Sequence, residues 1–544
     1  MELLLNAGQM KACDAYTIHR IGIPSVVLME RAALAVVDEM IRLGLDLTRV
    51  LVLCGSGNNG GDGFAVARLL SKTDRSGQEV ISRESCRVTL GFVGNESSMT
   101  DETALERRIC ENCGMKISSN FMDGEYTTIV DAIFGIGLSR PVEGRYAEVI
   151  RWVNRQSASV VSVDIPSGIS ADNGHMLGEA VRADLTVTFA SRKIGQVLYP
   201  GAAYCGKLVC KEVGIMTAGS EPLPSGEKQT GKTDKADKTG KTDKTDMRRV
   251  FTYTDQDLIK VPVRSPHSNK GTFGKVLLIA GSEGMSGAAC LAARAAYRTG
   301  CGMVRVFTPE CNRMVLQTCL PEAIVTAWNP HSPMREIENL LTAAFDWSDV
   351  AGIGPGLGMA TPSADILGFV LREYRKPLVI DADGLNLLSE NRGLMKLLHS
   401  DIVLTPHIGE MARLTGKEKN MISEDILNSS CDFADAHGTI CALKDSRTVV
   451  SDGNQIYVNT SGNDGMAVAG SGDVLTGIIC GLLAQGMPCF EAAAIGVYVH
   501  GRAGDRAKDD LGAYGMIAGD IAERVGQILA CHSAGTEPKG RKDK

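Results

Sequence analysis

The chain has 544 residues, of which 44% are hydrophobic and 22% charged, and its formal net charge is −7. This length predicts about two to four domains, and the 61 glycines indicate a globular protein with many loops. The acidic balance gives no reason to expect a nucleic-acid partner, so anionic ligands must be bound by local loops. We find no run of about 18 apolar residues and no signal peptide, and therefore expect no membrane association.

The cysteines predict a reducing environment. Sixteen are scattered without the regular spacing of a disulfide framework, and several, such as Cys54 and Cys290, lie inside apolar segments. This pattern is typical of reduced thiols in a cytoplasmic protein. Cys110 and Cys113 form one C-x-x-C pair, but no second pair with suitable spacing follows, so a structural zinc site is not predicted.

A polar segment divides the sequence into two halves. Residues 227–246 contain Lys, Asp, Thr and Gly with hardly an apolar side chain, which predicts a flexible linker, because such a segment cannot bury enough surface to fold. Its aspartates nearly cancel its lysines, which disfavours a nucleic-acid tail. We place the first domain at 1–217, the linker at 218–249 and the second domain at 250–535. The polar stretch 73–86 is predicted to be a surface insertion.

Both halves alternate strand-like apolar runs with helical patterns, which predicts α/β domains with parallel sheets. Two helices, over 10–23 and 24–43, precede the first strand. Strands of the first half are predicted near Val50–Cys54, Arg87–Val93, Thr127–Asp131, Ser159–Asp164 and Leu185–Phe189. Strands of the second half are predicted near Lys275–Ala280, Gly302–Phe307, Val350–Ile353, Pro377–Asp381, Ile402–Thr405 and Ile440–Leu443.

Three strands of the first half end in segments rich in amide, hydroxyl and carboxylate groups. The first segment, GSGNNGGDG at 55–63, precedes a helix predicted to start near Phe64, and the other two strands end at Asp131 and Asp164. Ligands of parallel sheets bind at the carboxyl ends of the strands. We therefore expect one crevice to receive the side chains of Asn58, Asn59, Asp62, Asp131, Asp164 and Ser167.

These residue types limit the chemistry of the crevice. Their oxygen atoms suit a hard cation rather than zinc, and a carboxylate can transfer protons. Gly55, Gly57 and Gly60 fit the dinucleotide motif G-x-G-x-x-G, but the next strand lacks an acidic end residue to bind a ribose, which disfavours a hydride-transferring dehydrogenase. The alternative is that each Asp or Asn only forms a turn or caps a helix.

The sequences at 10–33, 55–63, 131–142 and 163–168 resemble the NAD(P)H-hydrate epimerase domain over about residues 1–217. The resemblance implies a Rossmann-like three-layer fold. It also implies a substrate site made of Asn58, Asn59, Gly60, Gly61, Asp62, Gly135, Ile136, Gly137, Leu138, Ser139, Arg140, Pro141 and Asp164.

The same resemblance implies a potassium ion bound by Asn59, Asp131 and Ser167. Asp164 is the candidate acid/base that inverts the hydroxyl-bearing carbon of the substrate, and this role is a hypothesis.

The second half contains a glycine-rich turn that opens an apolar helix and carries Asp473, within residues 463–483. The backbone N–H groups and dipole of such a helix start form an anion hole beside a potential base, which suits phosphoryl transfer. The alternative is that Asp473 only caps the helix. The Walker motif G-x-x-x-x-G-K-[ST] is missing from the sequence, which disfavours a Walker-type NTPase.

Other loops of the second half favour the same chemistry. Residues 280–296 read as a strand, a loop and a helix with small side chains, and residues 352–358 form a glycine-rich loop after a strand. His407 follows another strand, although a lone histidine is more often structural. The segment 444–448 places Lys, Arg and Thr beyond a strand, suited to phosphate oxygens, unless it is only a surface hairpin.

Together these segments resemble the NAD(P)H-hydrate dehydratase domain, a ribokinase-like fold, over about residues 250–530. The resemblance implies that Ala288, Gly356, Gly358, His407 and Asp473 bind the hydrated nicotinamide nucleotide. It implies that ADP or AMP is bound by Lys444, Asp445, Ser446, Arg447, Thr448 and Gly472. The implied reaction is phosphorylation of the substrate hydroxyl followed by loss of phosphate, with Mg²⁺ accompanying ADP.

The implied function is repair of hydrated NADH and NADPH. One domain would interconvert the R and S hydrates, NADHX and NADPHX, and the other would dehydrate the S form with ADP, giving AMP and phosphate. ADP is favoured over ATP because the fused architecture resembles bacterial members, although no motif decides between them. We expect a cytoplasmic homo-oligomer. The alternatives are a plain small-molecule kinase, and an N-terminal domain that only binds.

Overall fold

A computed structural model describes residues 1–71, 86–217 and 248–533. The chain divides into two compact units, one within Leu3–Met247 and the other formed by Met1–Glu2 and the chain from Arg248 onward. The predicted insertion at 73–86 lies outside the described residues except for its last residue. The predicted linker at 218–249 lies outside them except for its last two.

The N-terminal unit is built on a seven-stranded parallel sheet of order β4-β3-β2-β5-β6-β7-β9. The strands of this sheet are β2 (Arg49–Cys54), β3 (Arg87–Phe92), β4 (Ile117–Ser118), β5 (Thr128–Ala132), β6 (Ser159–Val163), β7 (Leu185–Phe189) and β9 (Lys207–Lys211). Two further strands, β1 (Glu2–Leu5) and β8 (Arg192–Lys193), pair with each other in parallel. The α-helices of the unit are α1 (Ala7–Ala15), α2 (Ser25–Arg42), α3 (Asn58–Leu70), α4 (Asp101–Asn112), α5 (Gly144–Val153), α6 (Ile194–Val197) and α7 (Gly201–Tyr204).

The apolar side chains of β2 alternate between the two faces of this sheet. Val50 and Val52 pack with α2 and α3 in one core cluster, whereas Leu51 and Leu53 pack with α5 in another. All four side chains are buried, as expected for a parallel strand covered on both faces. The unit is therefore the predicted three-layer arrangement.

The start of α3 corrects one local prediction. The helix begins at Asn58 rather than near Phe64, so the predicted loop is the first turns of the helix. Gly57 is its extended N-cap residue, with φ −85° and ψ 178°. Gly60 enables this early start, because a Cβ there would lie 1.9 Å from the carbonyl oxygen of Gly55. Tight packing thus outweighs the low helix propensity of the segment.

The C-terminal unit contains a second sheet of order β13-β12-β11-β14-β15-β16-β17-β18-β19-β10, parallel except at β17-β18-β19. Its strands are β10 (Arg249–Thr252), β11 (Lys275–Ile279), β12 (Met303–Pro309), β13 (Ile324–Trp328), β14 (Val350–Ile353), β15 (Leu378–Ile380), β16 (Ile402–Leu404), β17 (Ile440–Leu443), β18 (Val449–Ser451) and β19 (Gln455–Val458). Its helices are α8 (Ser286–Thr299), α9 (Arg313–Cys319), α10 (Met334–Trp347), α11 (Thr361–Glu373), α12 (Asp383–Glu390), α13 (Ile408–Thr415), α14 (Lys419–Glu424), α15 (Ile426–His437), α16 (Ser471–Ala484), α17 (Cys489–Leu511) and α18 (Ala518–Ser533).

Helix α16 is the central helix of this unit, and residues 474–483 are all buried. It packs closely on α8, because Gly477 lacks a side chain where a Cβ would lie 2.1 Å from the carbonyl oxygen of Ala292. A helix that is apolar all round must be buried all round. This packing fixes the N-terminal turn of α16, which carries Asp473.

The α/β fold class is confirmed in both units, and every predicted strand is present within two residues at each end. The prediction omitted several short strands, among them β13 at a sheet edge and the antiparallel pair β18 and β19. In the part of the chain that the structure describes, no helix is both long enough and apolar enough to cross a membrane.

Candidate active sites

The N-terminal unit contains a cavity of about 780 Å³ at the carboxyl ends of β2, β5 and β6. The predicted site residues that line it are Asn58, Asn59, Asp62, Gly135, Ile136, Gly137, Leu138, Ser139, Arg140 and Asp164. The other predicted residues, Gly60, Gly61, Asp131, Pro141 and Ser167, are not part of the lining. The structure therefore brings most of the predicted site residues together. Of the other five, Pro141 is exposed and the rest are buried.

Asp164 follows β6 and has a φ of 65°, a left-handed conformation that residues other than glycine rarely adopt. Its backbone N–H donates to the Val187 carbonyl at 2.8 Å, and its carbonyl accepts from the Gln196 amide at 2.6 Å. Its carboxylate Oδ1 accepts from Lys193 Nζ at 2.5 Å and from Thr188 Oγ1 at 3.0 Å. The strained backbone and these four contacts fix the direction of the carboxylate.

Lys193 is a site residue that the sequence analysis missed. Its side chain is only 1% exposed, and lysine is almost never fully buried unless it is paired. Besides Asp164, Nζ donates to Thr188 Oγ1 at 2.7 Å and to the Phe189 carbonyl at 3.2 Å. Its backbone is held by pairing of β8 with β1, where it lies opposite Leu5. The sequence contains no local signal that separates this lysine from a surface lysine.

Two further acidic side chains line the cavity, Asp14 from α1 and Asp62 from α3. Burial raises the pKa of Asp14 to about 6, with a further increase from Asp164 and a decrease from Lys193. Burial also raises the pKa of Asp62 well above its usual value, and Asp164 and Asp14 add to the shift. Asp62 belongs to the predicted set, whereas Asp14 was not singled out.

The three residues predicted to bind potassium lie together. Ser167 donates to Asp131 from its backbone N–H at 2.8 Å and from Oγ at 2.6 Å. The Phe134 N–H donates to Ser167 Oγ at 2.8 Å, and Asn59 Nδ2 donates to the Phe134 carbonyl at 3.0 Å. Asn59 Oδ1 is buried and has no hydrogen-bonding partner. A buried oxygen without a hydrogen-bonding partner fits a ligand of a bound cation.

The glycines of 55–63 serve the packing of the chain more than the approach of a ligand. A Cβ at Gly55 would lie 1.9 Å from the Ile133 carbonyl oxygen, and Gly60 packs in turn against Gly55. Around Gly57, in contrast, a Cβ would find nothing within 4 Å, and Gly57 lines the cavity. Gly57 is therefore the position of this motif where a ligand has room to approach the backbone.

In the C-terminal unit, Asp473 lies in the first turn of α16. Burial raises its pKa to about 6, Asp381 adds to the shift, and Lys444 opposes it. Asp381 is 1% exposed and accepts from Lys444 Nζ at 2.6 Å and from Thr476 Oγ1 at 2.8 Å. Burial lowers the pKa of Lys444, but Asp381 and Glu410 outweigh burial and raise it. The sequence analysis missed Asp381, although it correctly ended a predicted strand there.

His407 lies beside Lys444 through a parallel bridge between the two backbones. It is also the N-cap of α13, because Nδ1 accepts from the Gly409 N–H at 2.9 Å while its own N–H donates to Glu410 at 2.8 Å. Burial and Lys444 lower the pKa of His407, which favours the neutral ring. His407 therefore caps α13, and the cap leaves its ring half exposed.

The remaining predicted residues of this unit lie in two groups, one around Gly356 and the other around Lys444. A Cβ at Gly356 would lie 3.0 Å from the Ala288 Cβ, and the Gly358 N–H donates to Asp383 at 2.8 Å. A Cβ at Gly472 would lie 3.3 Å from Lys444 Nζ. The turn beyond Lys444 is held by two hydrogen bonds, Thr448 Oγ1 to the Asp445 carbonyl at 3.4 Å and Arg447 Nη1 to the Thr460 carbonyl at 3.3 Å. Asp445 and Ser446 are exposed.

Comparison with known proteins identifies both halves. The family described as YjeF-related protein N-terminus matches residues 25–195, and the NAD(P)H-hydrate dehydratase family matches residues 276–526. A bifunctional NAD(P)H-hydrate repair enzyme of Moorella thermoacetica is 35% identical over 97% of this chain and 96% of its own length. The chain belongs to the family of bifunctional NAD(P)H-hydrate repair enzymes. The family resemblance seen in the sequence is thereby confirmed.

Other members of this repair-enzyme family come from distant organisms. The Escherichia coli enzyme is 33% identical over 96% of this chain and 92% of its own length. The Leishmania braziliensis enzyme is 32% identical over 92% of this chain and 89% of its own length.

Solved structures resemble the C-terminal half. An ADP/ATP-dependent NAD(P)H-hydrate dehydratase of Bacillus subtilis, co-crystallised with ATP and Mg²⁺, is 28% identical with a TM-score of 0.45, covering 52% of this chain and 98% of its own. A ribokinase-like superfamily protein of Enterococcus faecalis is 29% identical with a TM-score of 0.47, covering 52% of this chain and 96% of its own.

Proposed function

We propose that the N-terminal unit interconverts the R and S hydrates of NADH and NADPH, and that the C-terminal unit dehydrates the S hydrate with ADP, yielding AMP and phosphate. The observation that carries the proposal is the presence, in one chain, of two separate sites with an acid/base aspartate each. Asp164 belongs to the first site and Asp473 to the second. One enzyme half would supply the epimer that the other consumes.

For the epimerase half, support comes from the position of Asp164. It lines a cavity large enough for a nucleotide portion of the substrate, and its ion pair with Lys193 fixes the carboxylate. Asn58, Asn59 and the segment 135–141 would bind the substrate. Asp164 would exchange a proton with the hydroxyl group of the carbon that is inverted.

Potassium would be held by Asn59, Asp131 and Ser167. The orphaned Oδ1 of Asn59 is the observation that fits it, since hard oxygen ligands suit such a cation. A bound cation supplies positive charge beside the substrate. In this chain, Ser167 and Ser162 hold the Asp131 carboxylate through hydrogen bonds of 2.6 and 2.9 Å, so that the site is formed in advance.

For the dehydratase half, Asp473 would take the proton of the substrate hydroxyl as that hydroxyl attacks a phosphoryl group. Gly472 leaves room beside Lys444, which would face the phosphates. Loss of phosphate then restores the dihydronicotinamide, because phosphate is a better leaving group than hydroxide. Ala288, Gly356, Gly358 and His407 would bind the hydrated nicotinamide nucleotide, and residues 444–448 the adenine nucleotide.

Magnesium would arrive with the nucleotide. Among the described residues, no group of three or more His, Cys, Asp or Glu side chains could hold a metal ion. This fits Mg²⁺, which usually keeps several waters and is bound through substrate phosphates rather than by an all-protein cage. The ion supplies charge neutralisation on the phosphates.

We also propose a cytoplasmic homo-oligomer. The cysteines of the described ranges are free thiols, which suits a reducing compartment. Leu511, Tyr514 and Ile517 are exposed apolar side chains near one another in sequence, and exposed apolar side chains can contact a second copy.

The test is a time course of dihydronicotinamide absorbance with mixed epimers, potassium, Mg²⁺ and either ADP or ATP. We expect complete recovery with ADP. Recovery that stops near half would leave only the dehydratase and make the N-terminal unit a binding module. If neither ADP nor ATP restores the dihydronicotinamide absorbance, but the protein transfers phosphate from one of them to another alcohol, the protein is a kinase.

A further inference from the structure

The cavity of the N-terminal unit holds more carboxyl groups than its buried lysine can pair. Lys193 uses its three donors on Asp164, Thr188 and the Phe189 carbonyl. Asp14 lines the same cavity, and within the described ranges its carboxyl group has no hydrogen-bonding partner. It is therefore free to contact a ligand, whereas Asp164 is anchored.

The backbone around Asp14 is irregular. Helix α1 ends at Ala15, and the chain continues as a π-helix over Tyr16–Ile21. Insertions of π-helix are rare and frequently occur at functional sites. Thr17 secures this turn, because its Oγ1 donates to the Cys13 carbonyl at 2.8 Å and both residues are buried. The irregular turn thus holds Asp14 at the wall of the cavity.

Several charged or titratable groups face Asp14 and affect its pKa. These groups are Asp62 and Asp164, which repel a negative charge, and Lys193, which attracts it, while Lys11 also lines the cavity. Burial and Asp164 raise the pKa of Asp14 to about 6, close to the value that suits a proton carrier at neutral pH. Burial raises the pKa of Asp62 well above that of a free carboxyl group, and Asp164 and Asp14 add to the shift.

We infer that Asp14 is the second acid/base group of this cavity and works as a pair with Asp164; the inference rests on the proposed epimerase function. Asp14 gives a proton to the substrate hydroxyl, the C–O bond breaks, and water leaves while the ring nitrogen supplies the electron pair of a C=N bond. Water then forms a new C–O bond on the opposite face and loses a proton to Asp164. The reverse reaction exchanges the two roles, so atoms and charge balance.

The test measures epimerisation of the purified R hydrate by the full-length chain, without a phosphate donor. We expect Asp14→Asn to lower kcat by about 100-fold or more, the usual contribution of a general acid or base, with a smaller change in KM. The wild-type pH profile should have an inflection near pH 6 that Asp14→Asn lacks. Asp14→Glu keeps a carboxyl group and should restore part of the rate.

Asp38→Asn on α2 is the matched control, because Asp38 is exposed and does not line the cavity; it should epimerise like the wild type. Thermal unfolding at pH 8 separates catalysis from folding, since removing an unpaired buried carboxylate should not destabilise the protein. An Asp14→Asn variant with the wild-type rate and pH profile would overturn the inference. A wild-type chain without any epimerisation would instead refute the proposed function.

Cleavage of the C–O bond of the substrate can be measured directly by isotope incorporation. In water enriched with oxygen-18, each inversion should place one labelled oxygen in the substrate hydroxyl. Inversion without label would exclude cleavage of the C–O bond, and with it the step assigned to Asp14.

Discussion

Both sites contain a buried lysine bound to an aspartate, but the lysine pairs with a different aspartate in each. In the N-terminal unit, Lys193 binds Asp164, the proposed acid/base itself, at 2.5 Å. In the C-terminal unit, Lys444 binds Asp381 at 2.6 Å, and the proposed base Asp473 is left without a hydrogen bond among the described residues. The choice of partner decides which carboxyl group is anchored by a cation.

In each site, a carboxyl group outside the ion pair has a raised pKa. Asp473 has a pKa of about 6 because it is buried beside the charge of Asp381. In the N-terminal cavity the corresponding raised value belongs to Asp14, which lies outside the ion pair. Each site therefore contains one aspartate anchored by a lysine and another, outside that ion pair, with a pKa of about 6.

The largest effect is expected from Asp473→Asn. The variant should slow dehydration of the S hydrate about 1000-fold, within the range of general acid–base catalysis, because Asn cannot accept the proton. The N-cap residue of α16 is Gly470 and no side chain makes a cap hydrogen bond there, so the stability of α16 should change little. Steady-state dehydration and thermal unfolding check both statements.

Asp464→Asn is the control, since Asp464 is exposed and pairs only with Lys508 at 2.6 Å. It should dehydrate the S hydrate at the wild-type rate. Full activity of Asp473→Asn would refute the role of Asp473 as the base.

The next effect is on stability. Lys444→Met leaves the Asp381 carboxylate buried without its cation, and breaking such a pair costs about 3–5 kcal/mol of unfolding free energy. Lys193→Met should cost less, because Asp164 is 13% exposed and Asp381 only 1%. Hydrogen exchange of peptides from each unit measures the two losses separately.

Adding Asp381→Asn to Lys444→Met should recover most of this stability, because the buried charge is removed as well. The double variant should still lack dehydratase activity. A single Lys444→Met variant of wild-type stability would show that the pair contributes little to folding.

The sequence predicted the position of the sites better than their electrostatics. Strand ends marked Asp131, Asp164 and His407, because apolar runs and turn residues are local signals. Strands β13, β18 and β19 were missed, although β15 and β16 are as short and were predicted. The β13 strand lies at the edge of its sheet and is mostly half-buried, so its apolar run is weaker.

The ion pairs could not be predicted in the same way. Lys193 and Lys444 pair with aspartates 29 and 63 positions away, and nothing in their local sequence indicates burial. Asp14 was included in the family resemblance without a role, because only the folded cavity places it near Asp164. Contacts of this range depend on the tertiary fold rather than on local pattern.

A smaller effect is the pH dependence of dehydration. Below about pH 6, Asp473 gains a proton and cannot act as a base, so kcat/KM should fall about tenfold per pH unit. Asp381→Asn removes the neighbouring negative charge and frees Lys444, which should move the inflection to lower pH. An inflection that stays in place in this variant would contradict the assigned cause of the raised pKa.

The smallest effect concerns potassium, which should act on one unit only. Replacing K⁺ with Li⁺ should slow epimerisation about tenfold and leave dehydration of the S hydrate unchanged, because the orphaned oxygen of Asn59 lies in the N-terminal unit. K⁺ should also stabilise that unit, by about 2.7 kcal/mol at 100 times its Kd. If K⁺ changes neither the epimerisation rate nor hydrogen exchange around Asn59, then that oxygen does not bind the cation, and the unpaired Oδ1 is only a cost to folding.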